Sequence, residues 1–212
     1  MKVWLIRYTF FFSGLLLFGL GNALAVKVKY LGLHPWEVLN VALFQKFGFT
    51  IGTWSIVVGI FLIGISWFIN KKYINIGTFL NAVLVGAFMD FFLWTDILPE
   101  ATHTWLDYAL LLTAILISGI AGGLYVAGGI GAGPRDGFML TVAERTGLSV
   151  SKARILVECM VLVIGYFMGG PVFIATFLYT FIQSPIFQYT LKLFFNLRFI
   201  LTQEDIENVK AS

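Results

Sequence analysis

The sequence predicts an all-α polytopic membrane protein with six transmembrane helices in two inverted repeats, each with a short re-entrant or interfacial helix. Three observations lead to this prediction. The chain of 212 residues is 59% hydrophobic and 12% charged, with a mean hydropathy of +0.90. Continuous apolar runs approach the roughly 20 residues that cross a bilayer. The two halves also share residues at a constant spacing, which indicates an internal repeat.

The predicted spans are continuous apolar runs, and this pattern favours helices over alternating strands. The first run has a basic start and an Ala23-x-Ala25 ending, as a cleavable signal peptide does. It has a counterpart in the second half, which favours a retained first helix. The six predicted spans are Val3–Val26, Gly52–Ile69, Ile76–Thr95, Leu106–Val126, Ser151–Met168 and Val172–Phe195.

Two further segments are helical in pattern but short for a membrane span, and they cover His34–Gly48 and Gly133–Gly147. Each has Pro near its start and Gly at its end, which are helix start and stop signals. Pro35 and Pro134 lie 99 positions apart. At the same spacing Gly32 matches Gly131, Glu37 matches Asp136, Lys46 matches Arg145, Gly48 matches Gly147, and Thr50 matches Ser149.

The repeats divide a single transmembrane domain, residues 1–200, into units of about 3–95 and about 104–198, and residues 201–212 form a polar tail. Cytoplasmic loops are usually richer in Lys and Arg. If the short segments do not cross the membrane, Lys71, Lys72 and most other basic residues share the side of the N-terminus. This distribution favours six spans, inverted repeats and cytoplasmic termini.

The composition and the motifs of the sequence also argue against several classes of function. Cys159 is the single cysteine, and the two histidines, His34 and His103, are too few for a histidine metal cluster, so no metal site is expected. No basic stripe with interleaved aromatic residues points to nucleic acid. The sequence has no Ser-His-Asp set, P-loop or dinucleotide-binding motif, so neither an enzyme nor a cofactor is predicted.

The stretch Gly133–Asp136 begins the second short segment and carries an Arg beside an Asp. Inverted repeats with matched short helices are typical of transporters, in which half-helix N-termini face the solute. Glu37 and Asp136 each fall in a first helical turn, where an acid also serves as a cap. Both roles stay open, as do an anchoring and an anion-binding role for Arg135. The predicted turn and cap residues are His34, Pro35, Gly131, Gly133 and Pro134.

Ionisable residues inside spans usually face a bundle interior. Glu158 follows Arg154 by four residues, so a structural ion pair and a site role are both open. Thr78 and Thr176 begin matching helices and either cap them or line a path. The amides of Asn22, Asn81 and Gln183 are interpreted as contacts between helices. The candidate solute-binding residues are therefore Glu37, Thr78, Arg135, Asp136, Glu158 and Thr176.

Residues 131–158, GAGPRDGFMLTVAERTGLSVSKARILVE, followed by Gly-Gly-Pro and Ile174-x-Thr176, resemble the YczE-like membrane proteins of the bacterial YczE/YyaS/YitT group. The resemblance covers nearly the whole chain. Ala175 and Ser184 stand where the family usually has Gly, and both are exchanges between small residues. The resemblance implies a bacterial inner-membrane protein and says little about its activity.

Two functions are consistent with these observations. The first is a transporter or channel for a small polar or ionic solute, which the repeat and the matched acids favour. The alternative is a membrane accessory protein that supports a partner enzyme or complex. The expected partners are the lipid bilayer, an unidentified small solute and, as an open alternative, further copies of the chain.

Overall fold

The computed structural model describes residues 2–95 and 97–202, and this part of the chain is all-α, as predicted. Two short 3-10 turns, Lys29–Leu31 and Lys71–Tyr73, connect helices. The described α-helices are α1 (Lys2–Lys27), α2 (Pro35–Phe47), α3 (Ile51–Ile69), α4 (Ile76–Trp94), α5 (Trp105–Ala127), α6 (Pro134–Thr146), α7 (Val150–Phe167) and α8 (Ile174–Thr202).

Four helices are long and apolar enough to cross a membrane: Val3–Lys27, Ile51–Ile69, Ile76–Trp94 and Trp105–Ala127. They coincide with the first four predicted spans. Helix α7 carries Lys152, Arg154 and Glu158 within 18 residues, and α8 interleaves polar with apolar residues. The six-span topology stays a prediction. The predicted tail, residues 201–212, begins with the last two residues of α8, and the rest of it lies outside the described residues.

The two short helices have the same length and the same local signals at each end. Helices α2 and α6 each contain 13 residues and begin with Pro35 and Pro134. Each is followed by a glycine with positive φ, 75° at Gly48 and 69° at Gly147, a conformation that side chains disfavour. These ends confirm the predicted boundaries of both short helices.

The helices of the two halves pack against one another rather than as separate bundles. Helix α1 packs along α5, α4 lies on α1, and α8 lies on α5. The short helix α2 packs mainly on α7, whereas α6 packs on α3 and α7. Both short helices therefore contact a long helix of the opposite half.

The loops before the short helices also make reciprocal contacts. Gly32 precedes α2 and lies against the start of α8, where a Cβ at Gly32 would be 2.6 Å from the Thr176 nitrogen. Gly131 precedes α6 and lies against Asn75 and Gly77 at the start of α4. Repeat-matched glycines therefore make matching close contacts with the opposite half.

The apolar core lies between α1, α2 and α5. Its buried residues include Ala23, Val38, Val41 and Ala114. Many large apolar side chains point outward instead, including Phe68, which is 90% exposed, and Trp94, which is 82% exposed. A helical surface of this kind suits contact with lipid.

The C-terminus of α5 is held by two arginines from other helices. Arg7 donates from Nε to the Gly128 carbonyl at 3.2 Å and from Nη2 to the Gly129 carbonyl at 2.6 Å. Arg198, which is buried, donates from Nη1 to the Ala127 carbonyl at 2.9 Å. Positive charge at a helix C-terminus satisfies free carbonyls and complements the helix dipole. These contacts fix the end of α5 from which the loop leads to α6.

Candidate functional site

A cavity of about 60 Å³ lies where the N-termini of α2 and α6 meet. Each of the eight described helices contributes at least one side chain to its wall. The wall carries charged and polar side chains although the chain is largely apolar. Its charged side chains are Glu37, Arg135, Asp136 and Arg154.

The first charged group of the cavity is an ion pair between the two short helices. Arg135 donates from Nη1 to Glu37 Oε1 at 2.9 Å and from Nη2 to Ser55 Oγ at 3.2 Å. Asn40 donates to Glu37 Oε2 at 3.0 Å. The Arg135 guanidinium also lies 5.3 Å from the Trp36 ring centre, within cation–π distance. The Glu37 charge, which is 2% exposed, is therefore neutralised and hydrogen-bonded.

Trp36 and Arg135 occupy matched positions, each directly after the proline that begins its short helix. The two side chains meet across the N-termini of α2 and α6, where the Arg135 guanidinium lies over the Trp36 ring.

Asp136, the repeat counterpart of Glu37, has a different environment. Its Oδ2 accepts a hydrogen bond of 2.8 Å from the Tyr125 hydroxyl of α5. Within the described residues, no Lys, Arg or His nitrogen lies within 4.0 Å of its carboxylate. The first turn of α6 supplies the favourable end of a helix dipole. Asp136 thus faces the cavity without a direct cationic partner.

The second ion pair lies within α7. Arg154 donates from Nε to Glu158 Oε1 at 3.0 Å, and His34 Nε2 lies 3.6 Å from the same oxygen. Arg154 and His34 line the cavity, whereas Glu158 lies behind them. Glu158 is 4% exposed. Its carboxylate is therefore placed to orient the Arg154 guanidinium and the His34 ring.

The structure brings together several predicted site residues but not all of them. The predicted residues in the cavity wall are His34, Glu37, Gly133, Pro134, Arg135 and Asp136. Thr78 and Thr176 instead lie at helix starts, where they accept from the Asn75 nitrogen at 3.3 Å and the Phe173 nitrogen at 3.2 Å. Pro35 and Gly131 shape the adjoining turns.

Other wall residues were not predicted as solute contacts. Their only sequence signal is a polar or ionisable side chain inside an apolar run, and that signal does not tell a helix contact from a site. Which face of each helix is turned inward depends on packing between the halves. The unpredicted polar residues of the wall are Asn22, Ser55, Asn81, Tyr125, Arg154 and Gln183.

Among residues 2–95 and 97–202, no three His, Cys, Asp or Glu side chains are grouped as metal ligands. The arginines of the wall are also poor neighbours for a metal ion, because they repel cations.

A second polar cluster joins the C-terminal end of α6 to the link between α3 and α4. Glu144 accepts from Lys72 Nζ at 2.7 Å and from Asn70 Nδ2 at 2.8 Å, and it also accepts from the Tyr73 hydroxyl. The hydrogen bond from Lys72, followed by the one from Tyr73, lowers the pKa of Glu144 below its ordinary value. The same hydrogen bond raises the pKa of Lys72. We call these four residues the α6 clasp.

The α6 clasp is extended by Arg145, which donates to the Ile69 carbonyl at the end of α3. The matched end of α2 has Phe44 and Gly48 in a backbone hydrogen bond of 2.9 Å. Polar side chains therefore fasten the end of α6 to a neighbouring link, and the α6 clasp lies at the opposite end of α6 from the cavity.

The sequence matches the family of unknown function DUF6198 over residues 5–192. The chain belongs to this family. No solved structure matches the chain. Because the match includes both short helices and the cavity wall, the site belongs to the matched part of the chain.

Named relatives agree with this assignment. The chain is 38% identical over 187 residues to the uncharacterized membrane protein YczE of Bacillus subtilis, covering 88% of this chain and 86% of the relative. It is 31% identical over 175 residues to an uncharacterized protein of Haemophilus influenzae, covering 82% and 78%. It is 23% identical over 175 residues to YyaS of B. subtilis, covering 81% and 86%. The resemblance to YczE-like proteins is confirmed, and the chain is a multi-pass membrane protein.

Proposed function

We propose that the protein moves a small polar or ionic solute across the bacterial inner membrane. The observation that carries this proposal is the cavity itself, where the N-termini of α2 and α6 meet among charged side chains. Charged groups inside a membrane protein are costly and usually mark a path for solutes or ions. A support role for another protein would not require such a chamber between the two halves.

The matched short helices support the same proposal. In many transporters, half-helices from two inverted repeats direct their N-termini toward a solute site near the bilayer midplane. Here α2 and α6 have equal length, and each packs on a long helix of the opposite half. We interpret the two halves as inverted repeats, with six spans and both termini in the cytoplasm. The short helices would then enter the membrane from opposite faces.

Reconstitution into liposomes tests this proposal. Release or uptake of a probe panel of acetate, methylammonium, glycine, rubidium and iodide would be measured against empty liposomes. We expect flux of at least one probe and its loss in Asp136→Asn. The matched control is Lys192→Gln, because Lys192 is an exposed residue of α8 outside the cavity wall.

Accessibility of the cavity gives a second readout that needs no known solute. Ser55→Cys and Asn81→Cys, in a Cys159→Ser background, place thiols in the wall. A transporter predicts that a small water-soluble thiol reagent reaches both from at least one side of the membrane. Sealed thiols together with no flux of any probe would contradict transport and favour the accessory role.

A further inference from the structure

The cavity wall contains two charged side chains that bind each other and two others that keep atoms without a hydrogen-bond partner among the described residues. Arg135 and Glu37 satisfy each other in a pair with a distance of 2.9 Å. Arg154 uses only Nε for a protein hydrogen bond within the described residues, so its two terminal nitrogens remain available. Asp136 uses Oδ2 for the Tyr125 hydroxyl, and its Oδ1 has no hydrogen-bond partner among residues 2–95 and 97–202. Arg154, which pairs with Glu158 behind the wall, and Asp136 therefore line the same cavity without forming an ion pair with each other in the described part of the chain.

Several buried uncharged groups of the wall also lack a hydrogen-bond partner among the described residues. The indole Nε1 of Trp36 and the amide Nδ2 of Asn22 are buried and have no hydrogen-bond partner among the described residues, and the same is true of Gln183 Oε1. Trp36 is 2% exposed and Asn22 is 4% exposed. Buried polar groups in folded proteins nearly always have a partner. Unused donors and an unused acceptor in one cavity therefore suit a ligand with both kinds of polar group.

The first turns of α2 and α6 add a partial positive charge to the wall, because a helix N-terminus is the positive end of the helix dipole. Both helices begin at the cavity, so this contribution comes from two sides. The Asp136 carboxylate offsets this partial positive charge on the α6 side. On the α2 side, the Glu37 carboxylate is already neutralised by Arg135.

The size of the cavity limits the ligand. A volume of about 60 Å³ corresponds to roughly four to six water-sized positions at about 10–15 Å³ each. A solute of about five non-hydrogen atoms fills that space. Drug-sized molecules and nucleotides are too large for the cavity in this state.

We propose that the cavity binds a small zwitterion, with its ammonium group at Asp136 and its carboxylate at Arg154. Gln183 Oε1 would accept from the ammonium, and Trp36 Nε1 would donate to the carboxylate. A lone cation would meet the Arg154 charge, and a lone anion would meet Asp136. A zwitterion satisfies both and adds no net charge to a site of low dielectric constant. This inference rests on the proposed function for solute movement, but binding is testable separately.

Binding would be measured by calorimetry and thermal shift on the full chain purified in detergent. The probes are glycine, acetate and methylammonium, which carry both charges, the negative charge alone and the positive charge alone. We expect glycine to bind at least tenfold more tightly than either single-charge probe. Asp136→Asn should weaken glycine binding at least tenfold, whereas Lys192→Gln should leave it unchanged.

Arg154→Gln tests the carboxylate end, but it also leaves Glu158 without its partner. Arg154→Lys therefore accompanies it, because it keeps the positive charge while removing the paired terminal nitrogens. Weaker glycine binding in folded Arg154→Lys supports the assignment. Asp136→Asn keeps an acceptor for the Tyr125 hydroxyl, so it is the variant expected to fold normally.

Three results would overturn the zwitterion assignment: no binding of glycine, equally tight binding of acetate or methylammonium, or unchanged glycine binding in Asp136→Asn. Failure of the proposed function is a different result. Glycine binding in detergent without flux in liposomes would contradict the transport proposal and support the zwitterion site. Flux of another probe without glycine binding would support transport and contradict the zwitterion site.

Discussion

Arg135 of α6 and Glu37 of α2 lie 98 positions apart in the chain, and their side chains are joined by a hydrogen bond of 2.9 Å. Each belongs to the first turn of its short helix. The pair therefore joins the two halves at the wall of the cavity. It also explains why matched acids have different roles, since Glu37 is neutralised by a guanidinium and Asp136 accepts from a tyrosine hydroxyl.

Removing one member of this pair should destabilise the protein more than removing both. Arg135→Gln leaves the Glu37 carboxylate buried without its cation, and such a loss costs about 3–5 kcal/mol. In Arg135→Gln with Glu37→Gln, no buried charge is left alone, so we expect a smaller loss. Unfolding of the purified variants in mixed micelles with increasing denaturing detergent measures the difference. Equal stability of Arg135→Gln and the wild type would contradict a structural ion pair.

The close contact of Gly32 with the start of α8 predicts a second stability effect. Gly32→Ala places a Cβ 2.6 Å from the Thr176 nitrogen at a φ of 126°, so the loop or α8 must move. Overpacking of this kind costs about 1–3 kcal/mol beyond backbone strain. Gly48→Ala is the matched control, because Gly48 also has positive φ but a Cβ there meets nothing within 4 Å. If the two variants lose equal stability in the same detergent assay, the contact contributes nothing.

Helix ends were predictable because their signals are local. Proline at the start and glycine after the end fixed the limits of α2 and α6, and Thr50 and Ser149 cap the helices that follow. Their hydroxyls accept from the Thr53 and Lys152 nitrogens, as capping residues do. None of these signals depends on the rest of the fold.

The composition of the cavity wall was only partly predictable. The pairing of Arg154 with Glu158 follows from their spacing of four residues. That Arg154 faces the cavity depends on how α7 is rotated against α2 and α6, which no local pattern records. Asn22, Asn81 and Gln183 were interpreted as helix contacts for the same reason, yet they line the cavity. Asp136 was identified because it follows the proline that begins α6.

The α6 clasp predicts a pH dependence of stability. Hydrogen bonds from Lys72 and Tyr73 lower the pKa of Glu144 below 4.5. A lowered carboxylate pKa stabilises the folded state above the unfolded value, and this contribution disappears as pH falls through the folded value. We therefore expect the melting temperature of the wild type to fall toward that of Glu144→Gln as the pH is lowered below about 4.5.

The matched control for the α6 clasp is Glu100→Gln. Glu100 pairs with Lys27, but its side chain is 75% exposed and lies away from α6. Its substitution should change the melting temperature little at any pH, because exposed ion pairs contribute little. A constant difference between Glu144→Gln and the wild type from pH 3 to pH 7 would mean that Glu144 stabilises the protein without its charge.

Inverted repeats predict that matched positions after the two short helices face opposite sides of the membrane. Phe49 and Leu148 lie 99 positions apart, directly beyond the glycines that end α2 and α6, and both are exposed. In a Cys159→Ser background, the Phe49→Cys and Leu148→Cys variants would each be treated with a membrane-impermeant maleimide in spheroplasts, whose inner membrane is sealed. We expect Phe49→Cys to react at once and Leu148→Cys to react only after permeabilisation, because the proposed topology, which follows the positive-inside rule, has the basic loops around α6 in the cytoplasm. The Cys159→Ser protein without added cysteine gives the background. Reaction of both thiols from the same side would make the repeats parallel, so that the N-termini of α2 and α6 no longer approach the cavity from opposite faces.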